Sequence, residues 1–509
     1  MNYFRTTGLR TTALVAAALT TSILTTPIMG MVSDRPSHPS EIVFDELNFT
    51  PPMASEFRHE LSNGVPVFIA ESNEFPLVTI RFSFKGGEYM VPAEKAGLSS
   101  LAGGLIRSGG SASMSPEELD EEFDFLAANV GSSMGDTTSG ASINCLTSNL
   151  DEAFGLFMEM VQNPRFDEDR LEIRRDQILK AFESRNDAGV QIAIRELGFL
   201  MWGDDHFEGR QPTKESIESI TVEDMKALHA KVFHPGNLMI AVTGDVETSE
   251  ILAFLEEAIS GWEIGEISPD IPKPTQSYAP GVYYYEKEQP QVQVLIAHRG
   301  IERDDPDAID VEVMNQILGG SGFTSRITNT VRTQEGLAYT AGSVYSNRVE
   351  YPGVFMSYFF TKTPTTALAT RLVFGEIDKI QKEEATTEEI EIIQNSLIET
   401  FPRNFESKRA MMGLFMSDER TGRPADYWQT YRDKVRAVTA SDVQQAALNH
   451  LHPDQAVIMV VGPVEEIQKG NADSEADPER VATMAEFFDG QFTLIPERDP
   501  ETLKPVDSE

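Results

Sequence analysis

Apolar and polar residues alternate with a period of two in several short stretches of the chain and follow a helical period in longer ones. Within Leu77–Lys85, the apolar residues Val78, Ile80, Phe82 and Phe84 share one face, which predicts a half-buried strand. Comparable patterns predict strands at Val65–Ile69 and Gly140–Leu146, and helices at Ala96–Arg107, Pro116–Ala127, Leu150–Gln162, Asp167–Arg185 and Val222–Val232. Strand runs mixed with long helices indicate an α+β fold rather than a doubly wound parallel sheet.

One such pattern occurs twice. Residues 220–246 read ITVEDMKALHAKVFHPGNLMIAVTGDV, and residues 438–464 read VTASDVQQAALNHLHPDQAVIMVVGPV. Identities recur 218 positions apart without a gap, among them Thr221 and Thr439, Asp224 and Asp442, His234 and His452, Pro235 and Pro453, Gly244 and Gly462, Val246 and Val464. Each copy predicts a helix capped by Thr, a break at His-Pro, and an apolar strand that ends at Gly. The repeat therefore predicts two similar domains in tandem.

The length of 509 residues agrees with two domains, because it is too long for one ordinary core. Prolines among polar residues at 263–281 predict a stiff linker. The predicted organisation is an N-terminal domain at 57–262, this linker, a C-terminal domain at 282–468 and an acidic tail at 470–509. The sequence leaves open whether the tail docks on the protein or is disordered.

The formal net charge of −39 disfavours some classes of partner. Nucleic acid is disfavoured because its binding requires lysine and arginine, and an anionic membrane surface is disfavoured for the same reason. Two interpretations of the charge stay open: a field that attracts basic peptides, or a device for solubility in salty surroundings.

The first 30 residues have the pattern of an export signal, with Arg5 and Arg10 ahead of a stretch of apolar and small residues at 12–24. We expect cleavage near Gly30 and a periplasmic or secreted mature chain, with a retained N-terminal anchor as the alternative. No other segment approaches the roughly 18 apolar residues of a membrane span, so none is expected in the mature chain. The single cysteine, Cys145, lies in an apolar strand pattern, which predicts a buried and inert thiol.

Three segments resemble the pitrilysin, insulinase and mitochondrial-processing-peptidase family of zinc metallopeptidases. They are residues 61–110, which begin LSNGVPVFIAE, residues 209–246, which include the first repeat copy, and residues 317–346, ILGGSGFTSRITNTVRTQEGLAYTAGSVYS. The resemblance covers nearly all of 57–468. It implies two similar domains, each a mostly antiparallel sheet packed with helices.

Active members of this family bind zinc through H-x-x-E-H on the helix after a Gly-Leu step and through a later Glu. The spacing suits the chemistry, because residues at i, i+3 and i+4 share one helix face, where two His ligate zinc and the Glu deprotonates its water. The corresponding positions in this chain are Ser100, Gly103, Gly104 and, for the later Glu, about Ala181. None of them can ligate zinc or act as a base, so we predict no catalytic zinc here.

Other catalytic chemistries find no support in the sequence. It contains no G-x-S-x-G elbow, no G-x-x-x-x-G-K-[ST] loop and no G-x-G-x-x-G after a strand. The eight histidines include no pair at i, i+3 or i+4, so we expect isolated surface or capping histidines rather than a metal site.

The segment VRTQEGLAY places Arg332 and Tyr339 seven residues apart, as the family's second domain does. The resemblance implies that this pair faces a zinc site across an internal chamber, where it would donate hydrogen bonds to peptide carbonyls and to the oxyanion of the transition state. The alternative is structural, with Arg332 capping a helix C-terminus and Tyr339 packed in a strand. Gly319, Gly320 and Gly322 are candidate substrate contacts, because glycine permits close approach of a chain.

These features resemble the non-catalytic chain of two-chain family members. We therefore predict the complementing subunit of an exported heterodimeric zinc endopeptidase, which binds unfolded peptide and supplies Arg332 and Tyr339 to a homologous partner that carries H-x-x-E-H. No cofactor is expected in this chain, and zinc is expected in the partner. Two alternatives stay open: a scaffold homologue, like the core subunits of the respiratory cytochrome bc complex, and a peptide-binding protein that works alone. The export signal argues against the scaffold.

Overall fold

The computed structural model describes residues 47–471 and 480–506, so the predicted export signal at 1–30 lies outside the described residues. The strands are β1 Arg58–Glu60, β2 Pro66–Glu71, β3 Leu77–Lys85, β4 Asn129–Met134, β5 Thr138–Leu146, β6 Leu238–Gly244, β7 Gly281–Glu286, β8 Val292–Arg299, β9 Ala338–Tyr345, β10 Val354–Thr361, β11 Val457–Gly462 and β12 Phe492–Ile495. The α-helices are α1 Leu98–Ser108, α2 Pro116–Phe125, α3 Leu150–Gln162, α4 Glu168–Phe182, α5 Gly189–Trp202, α6 Lys214–Ser219, α7 Val222–Val232, α8 Thr248–Ile259, α9 Ala308–Asn315, α10 Thr366–Lys382, α11 Thr387–Thr400, α12 Lys408–Thr421, α13 Tyr427–Ala437, α14 Ala440–His450 and α15 Val464–Lys469. Across this described part of the chain, no helix combines the length and apolarity that a membrane crossing requires.

Two six-stranded sheets organise these elements. The first has the strand order β1-β2-β6-β3-β5-β4, and the second has the order β12-β7-β11-β8-β10-β9. Each contains a parallel pair, β2 with β6 and β7 with β11, followed by three antiparallel pairs toward β4 or β9. These five strands have the same topology in both sheets, whereas the sixth strand differs: β1 pairs with β2 antiparallel and β12 pairs with β7 in parallel. The predicted α+β fold with two similar halves is confirmed.

The repeated pattern forms the same local structure twice. The Thr221 hydroxyl accepts from the Asp224 amide at 3.2 Å, and the Asp224 carboxylate accepts from the Thr221 amide at 2.9 Å. Thr439 and Asp442 form the same capping box before α14, at 3.2 and 2.9 Å. Each helix then leads into the central strand of its sheet, β6 or β11. The predicted Thr cap, helix and strand are confirmed in both copies.

A pair of helices is exchanged between the halves. Helix α5, from the first half of the sequence, packs on β8 and β11 of the second sheet through a cluster that includes Ile192 and Ala193. Helix α12, from the second half, packs on β2 and β6 of the first sheet through Met412 and Phe415. Both helices have 14 residues. Each sheet is therefore covered in part by a helix from the other half of the sequence. The predicted domain boundaries at 57–262 and 282–468 remain a prediction.

The linker and the tail both run along the folded body. Residues 263–280 form no helix or strand, but the Ser268 amide donates to Asn237 at 2.8 Å and the Tyr89 hydroxyl donates to the Pro269 carbonyl at 2.8 Å. The tail contributes β12, which pairs in parallel with β7 at the edge of the second sheet. The question that the sequence left open is thus answered for residues 480–506, which dock on the protein.

Candidate functional site

Helix α1 carries the three positions that match the zinc motif. Leu98, Leu101 and Leu105 are buried and form its apolar face. Ser100 and Gly104 are exposed, and Gly103 between them is buried. The helix survives as scaffold although its ligand side chains are missing.

The neighbouring strand closes the position where the family has its catalytic Glu. An atom at the Cβ position of Gly103 would lie 2.1 Å from the Met134 amide nitrogen and 2.7 Å from the Ser133 carbonyl carbon of β4. The Ser132 hydroxyl also donates to the Gly103 carbonyl at 2.6 Å, which holds strand and helix together. A Glu side chain at 103 therefore requires backbone to move.

The fourth position also lacks a ligand. Ala181 is exposed near the end of α4, a helix that packs on α1. The side chains at the four matching positions are the hydroxymethyl group of Ser100, the hydrogen atoms of Gly103 and Gly104, and the methyl group of Ala181. They provide no imidazole or carboxylate. Because catalytic zinc requires three such protein ligands, these four positions do not fit a zinc ion.

The Arg332 and Tyr339 side chains, by contrast, are in contact. The Arg332 guanidinium carbon lies 4.5 Å from the centre of the Tyr339 ring and 4.4 Å from the centre of the Phe323 ring. The charge is thus sandwiched between two aromatic faces, a geometry that favours it. Tyr339 is 77% exposed and Phe323 is 69% exposed, so the sandwich faces solvent.

The backbone positions both residues. Arg332 belongs to a π-helical segment, Thr328–Gln334, which is followed by Gly336 with a left-handed φ of 64°. In the edge strand β9, Ala338 pairs with Thr361 and Thr340 pairs with Phe360, so Tyr339 is left without a partner. Such a bulge re-aims a side chain, and here it accounts for the exposure of Tyr339. This exposure does not fit a Tyr packed inside a strand.

Three predicted glycines precede the sandwich. Gly319 is buried, and a Cβ there would lie 2.3 Å from the Ser343 hydroxyl oxygen, so it serves close packing on β9. Gly320 and Gly322 are exposed, and Gly322 has a φ of 63° in the loop that carries Phe323. Their contact with substrate remains a prediction. The sequence analysis did not identify Phe323 as a site residue, because a single Phe after glycines has no pattern that separates a site residue from an ordinary loop residue.

Cys145 lies in β5 and is fully buried. Burial raises the pKa of its thiol from 9.0 to about 11, because the thiolate would lose its hydration. The predicted burial is confirmed, and the raised pKa agrees with the predicted inert thiol.

The histidines differ from the prediction of isolated surface or capping residues. Four are buried: His206, His229, His234 and His298. His234 does cap the turn at 235–237, as its ring accepts from the Gly236 amide. His229 and His298 pack inside the protein, and burial lowers the pKa of each to about 4. The sequence did not reveal this, because each ring contacts a backbone group far away in the chain: His229 contacts the Val161 carbonyl, and His298 accepts from the His452 amide.

A group that could hold a metal ion occurs away from α1. Among residues 47–471 and 480–506, Asp305, Asp307 and His450 each place one ligand atom within 4.8 Å of the others. The His450 Nε2 atom lies 2.7 Å from the Asp307 carboxylate, and the resulting hydrogen bond lowers the pKa of Asp307. Asp307 and His450 are 143 positions apart in the sequence, so a search for short motifs does not find this group.

Comparison with known proteins identifies the relatives of this chain. Residues 219–397 match the family model described as the peptidase M16 inactive domain. A Helicobacter pylori protein named non-peptidase homolog YmxG is 25% identical over 418 residues, which cover 80% of this chain and 94% of that protein. The mitochondrial-processing peptidase subunit beta of Dictyostelium discoideum is 20% identical over a region that covers 79% of this chain and 88% of that subunit.

Solved structures agree in fold. The peptidase M16 inactive domain from Pseudomonas fluorescens superposes with a TM-score of 0.72 at 26% identity, covering 80% of this chain and 97% of that chain. The periplasmic protease PqqL from Escherichia coli gives a TM-score of 0.70 at 16% identity. The superposition covers 82% of this chain but only 46% of the PqqL chain. The resemblance that the sequence motifs predicted is confirmed.

Proposed function

Because this chain is a homologue of the M16 zinc peptidases and carries that family's inactive domain, we propose that it is the non-catalytic, complementing subunit of an exported heterodimeric zinc endopeptidase. In this proposal it binds unfolded peptide and supplies Arg332 and Tyr339 to the active site of a homologous partner that carries H-x-x-E-H and the zinc. In this proposal, the predicted export signal at 1–30 directs the complex to the periplasm or out of the cell.

The observation that carries the proposal is the set of free donors in the sandwich. Within the described residues, neither the Arg332 guanidinium nor the Tyr339 hydroxyl has a hydrogen-bond or ion-pair partner. This is notable in a chain with 81 acidic and 42 basic residues. The nearby carboxylate of Glu335 pairs instead with Arg480 of the tail. Exposed and unpaired donors of this type suit a ligand that brings acceptors, such as peptide carbonyls and a developing oxyanion.

The missing zinc ligands support a partner that provides the metal. Ser100, Gly103, Gly104 and Ala181 cannot hold zinc, so hydrolysis by this fold needs a second polypeptide. The chain matches 46% of the length of PqqL, so that protease has room for a second unit of similar size. We therefore assign one unit to this chain and the other to the zinc-binding partner.

The sheets offer a way to bind an extended peptide. Strands β4 and β9 lie at corresponding edges of the two sheets, with one neighbour each among the described strands. Such edges accept an added strand through main-chain hydrogen bonds, without demanding a particular sequence. The β4 edge lies beside α1, and the β9 edge carries Tyr339, so a peptide on either edge lies near a predicted functional position.

The test is turnover of a flexible peptide by the reconstituted two-chain complex, with assembly measured separately. Tyr339→Phe removes one hydroxyl and is expected to slow turnover by about 10²–10³, the loss for one oxyanion donor, or about 2.7–4 kcal/mol. Arg332→Lys keeps the charge but loses the planar fork, so it is also expected to slow turnover.

Tyr345→Phe is the matched control. It removes a hydroxyl from the same strand, where Tyr345 donates to the His450 carbonyl at 3.2 Å. It should change stability slightly and leave turnover intact. A Tyr339→Phe complex that assembles normally and cleaves at the wild-type rate contradicts the catalytic role, and leaves a chain that only binds peptide or forms a wall of the chamber.

A further inference from the structure

The described part of the tail makes an ordered connection between elements of both halves. Residues 492–506, here called the strap, begin with β12, whose Ile495 pairs with Tyr285 of β7 at the edge of the second sheet. Beyond β12 the strap folds on itself, as the Asp499 carboxylate accepts from the Thr502 amide at 2.7 Å and the Val506 amide donates to the Glu497 carbonyl at 2.7 Å.

The first anchor of the strap is a buried carboxylate on α5. Glu196 is 1% exposed. Its carboxylate forms ion pairs with the Nε atom of Arg498 in the strap at 2.9 Å and with the Nε atom of Arg195 at 2.9 Å. Asn186, just before α5, accepts from Arg195 at 2.8 Å and donates to the Arg498 carbonyl at 2.7 Å, which closes a ring of four residues. A buried charge that loses one such partner is strongly destabilised, so Arg498 is a structural requirement of this ring.

The second anchor lies on α6, after α5 has ended. The Lys214 amide donates to the Glu501 carbonyl at 2.8 Å, and the Lys214 ammonium pairs with the Glu501 carboxylate at 2.8 Å. Helix α6 belongs to the core of the first sheet through Ile217, whereas α5 belongs to the core of the second sheet through Ile192. The strap thus binds both sides of the crossover from one core to the other.

We propose that the strap locks this crossover and so fixes the two sheets relative to one another. Since α5 is exchanged between the halves, any change in their relative position must move the segments that flank it, and the strap holds both. This inference is independent of the role of Arg332 and Tyr339, because it concerns how the halves are held and not what they bind.

The experiment compares amide hydrogen exchange in the full-length wild-type protein and in full-length Arg498→Ala. If the strap is a lock, exchange rises at least about 10-fold in both α5 and α6, and not only in the strap, because opening of the crossover becomes easier. Glu501→Ala removes only the side-chain pair of the second anchor and should raise exchange in α6 with a smaller rise in α5. It also serves if Arg498→Ala does not fold.

Lys504→Ala is the control within the strap. Lys504 pairs with Glu215 at 4.0 Å, and both side chains are largely exposed, so exchange should not change. The proposal is overturned if neither Arg498→Ala nor Glu501→Ala raises amide hydrogen exchange outside 492–506. The crossover would then be rigid without the strap, and the strap would only lie on its surface.

Discussion

Two adjacent glycines of α1 should respond in opposite ways to the same substitution. Gly103→Ala places a methyl group 2.1 Å from the backbone nitrogen of Met134, and no side-chain rotation can relieve that contact. Gly104→Ala meets no atom within 4 Å. Both variants gain about 1 kcal/mol of helix propensity. Overpacking costs about 1–3 kcal/mol, and the contact with backbone at Gly103 puts that variant at the upper end.

We therefore expect Gly103→Ala to lower the free energy of unfolding by about 2 kcal/mol and Gly104→Ala to raise it by about 1 kcal/mol. Urea unfolding with the two variants and the wild type side by side measures the difference from the transition midpoints. Equal midpoints for the two variants would refute the close approach of β4 to α1. They would also remove the steric reason why a Glu cannot be accommodated at this position.

Three further predictions concern metal, pH and export. Elemental analysis of the purified chain should find no tightly bound zinc at the α1 positions, and peptidase activity that a chelator abolishes should be absent; about one zinc per chain, lost on mutation of α1, would contradict this. Stability should fall as the pH drops from about 6.5 toward 4, because the unfolded chain then protonates His229 and His298 while the folded chain keeps both neutral, with their pKa values lowered to about 4. The expected loss is about 2 kcal/mol for each histidine at pH 5 relative to pH 8, measured by thermal unfolding, and a flat profile would show that neither stays neutral. Mass spectrometry of the native protein should find a mature N-terminus close to residue 31, and an intact leader on cytoplasmic protein would refute export.

Local rules explain why much of the fold could be predicted from the sequence. Val78, Ile80, Phe82 and Phe84 are all fully buried in β3, whose bounds Leu77–Lys85 match the prediction. Helices α3 and α7 also match their predicted bounds. Alternation and capping are encoded within a few neighbouring residues, so a single sequence is enough to identify them.

The exchange of α5 and α12 could not be predicted in this way. An apolar helix face predicts that the helix is packed against another element, but it does not predict which sheet that element belongs to. Ile192 and Phe415 look like ordinary core residues of their own halves, and only the tertiary structure shows that each packs on the other sheet. The same reason hid β12, whose parallel partner β7 lies about 210 residues earlier in the chain.

The candidate site was predicted in part. Arg332 and Tyr339 were identified through a family resemblance, and the structure brings them together. The glycine loop was identified from the close approach that glycine permits. The aromatic partner Phe323 and the bulge at Tyr339 depend on loop geometry and strand register, which residue spacing does not determine.

The most direct test of the central claim is reconstitution with the zinc-binding homologue that carries H-x-x-E-H. Each chain is purified alone, the two are mixed at equal concentration, and cleavage of a flexible peptide is measured together with the mass of the complex. We predict a one-to-one complex in which chelator-sensitive cleavage appears only in the mixture. A homologue that cleaves equally fast without this chain, or two chains that do not associate, would contradict the assignment of a complementing subunit.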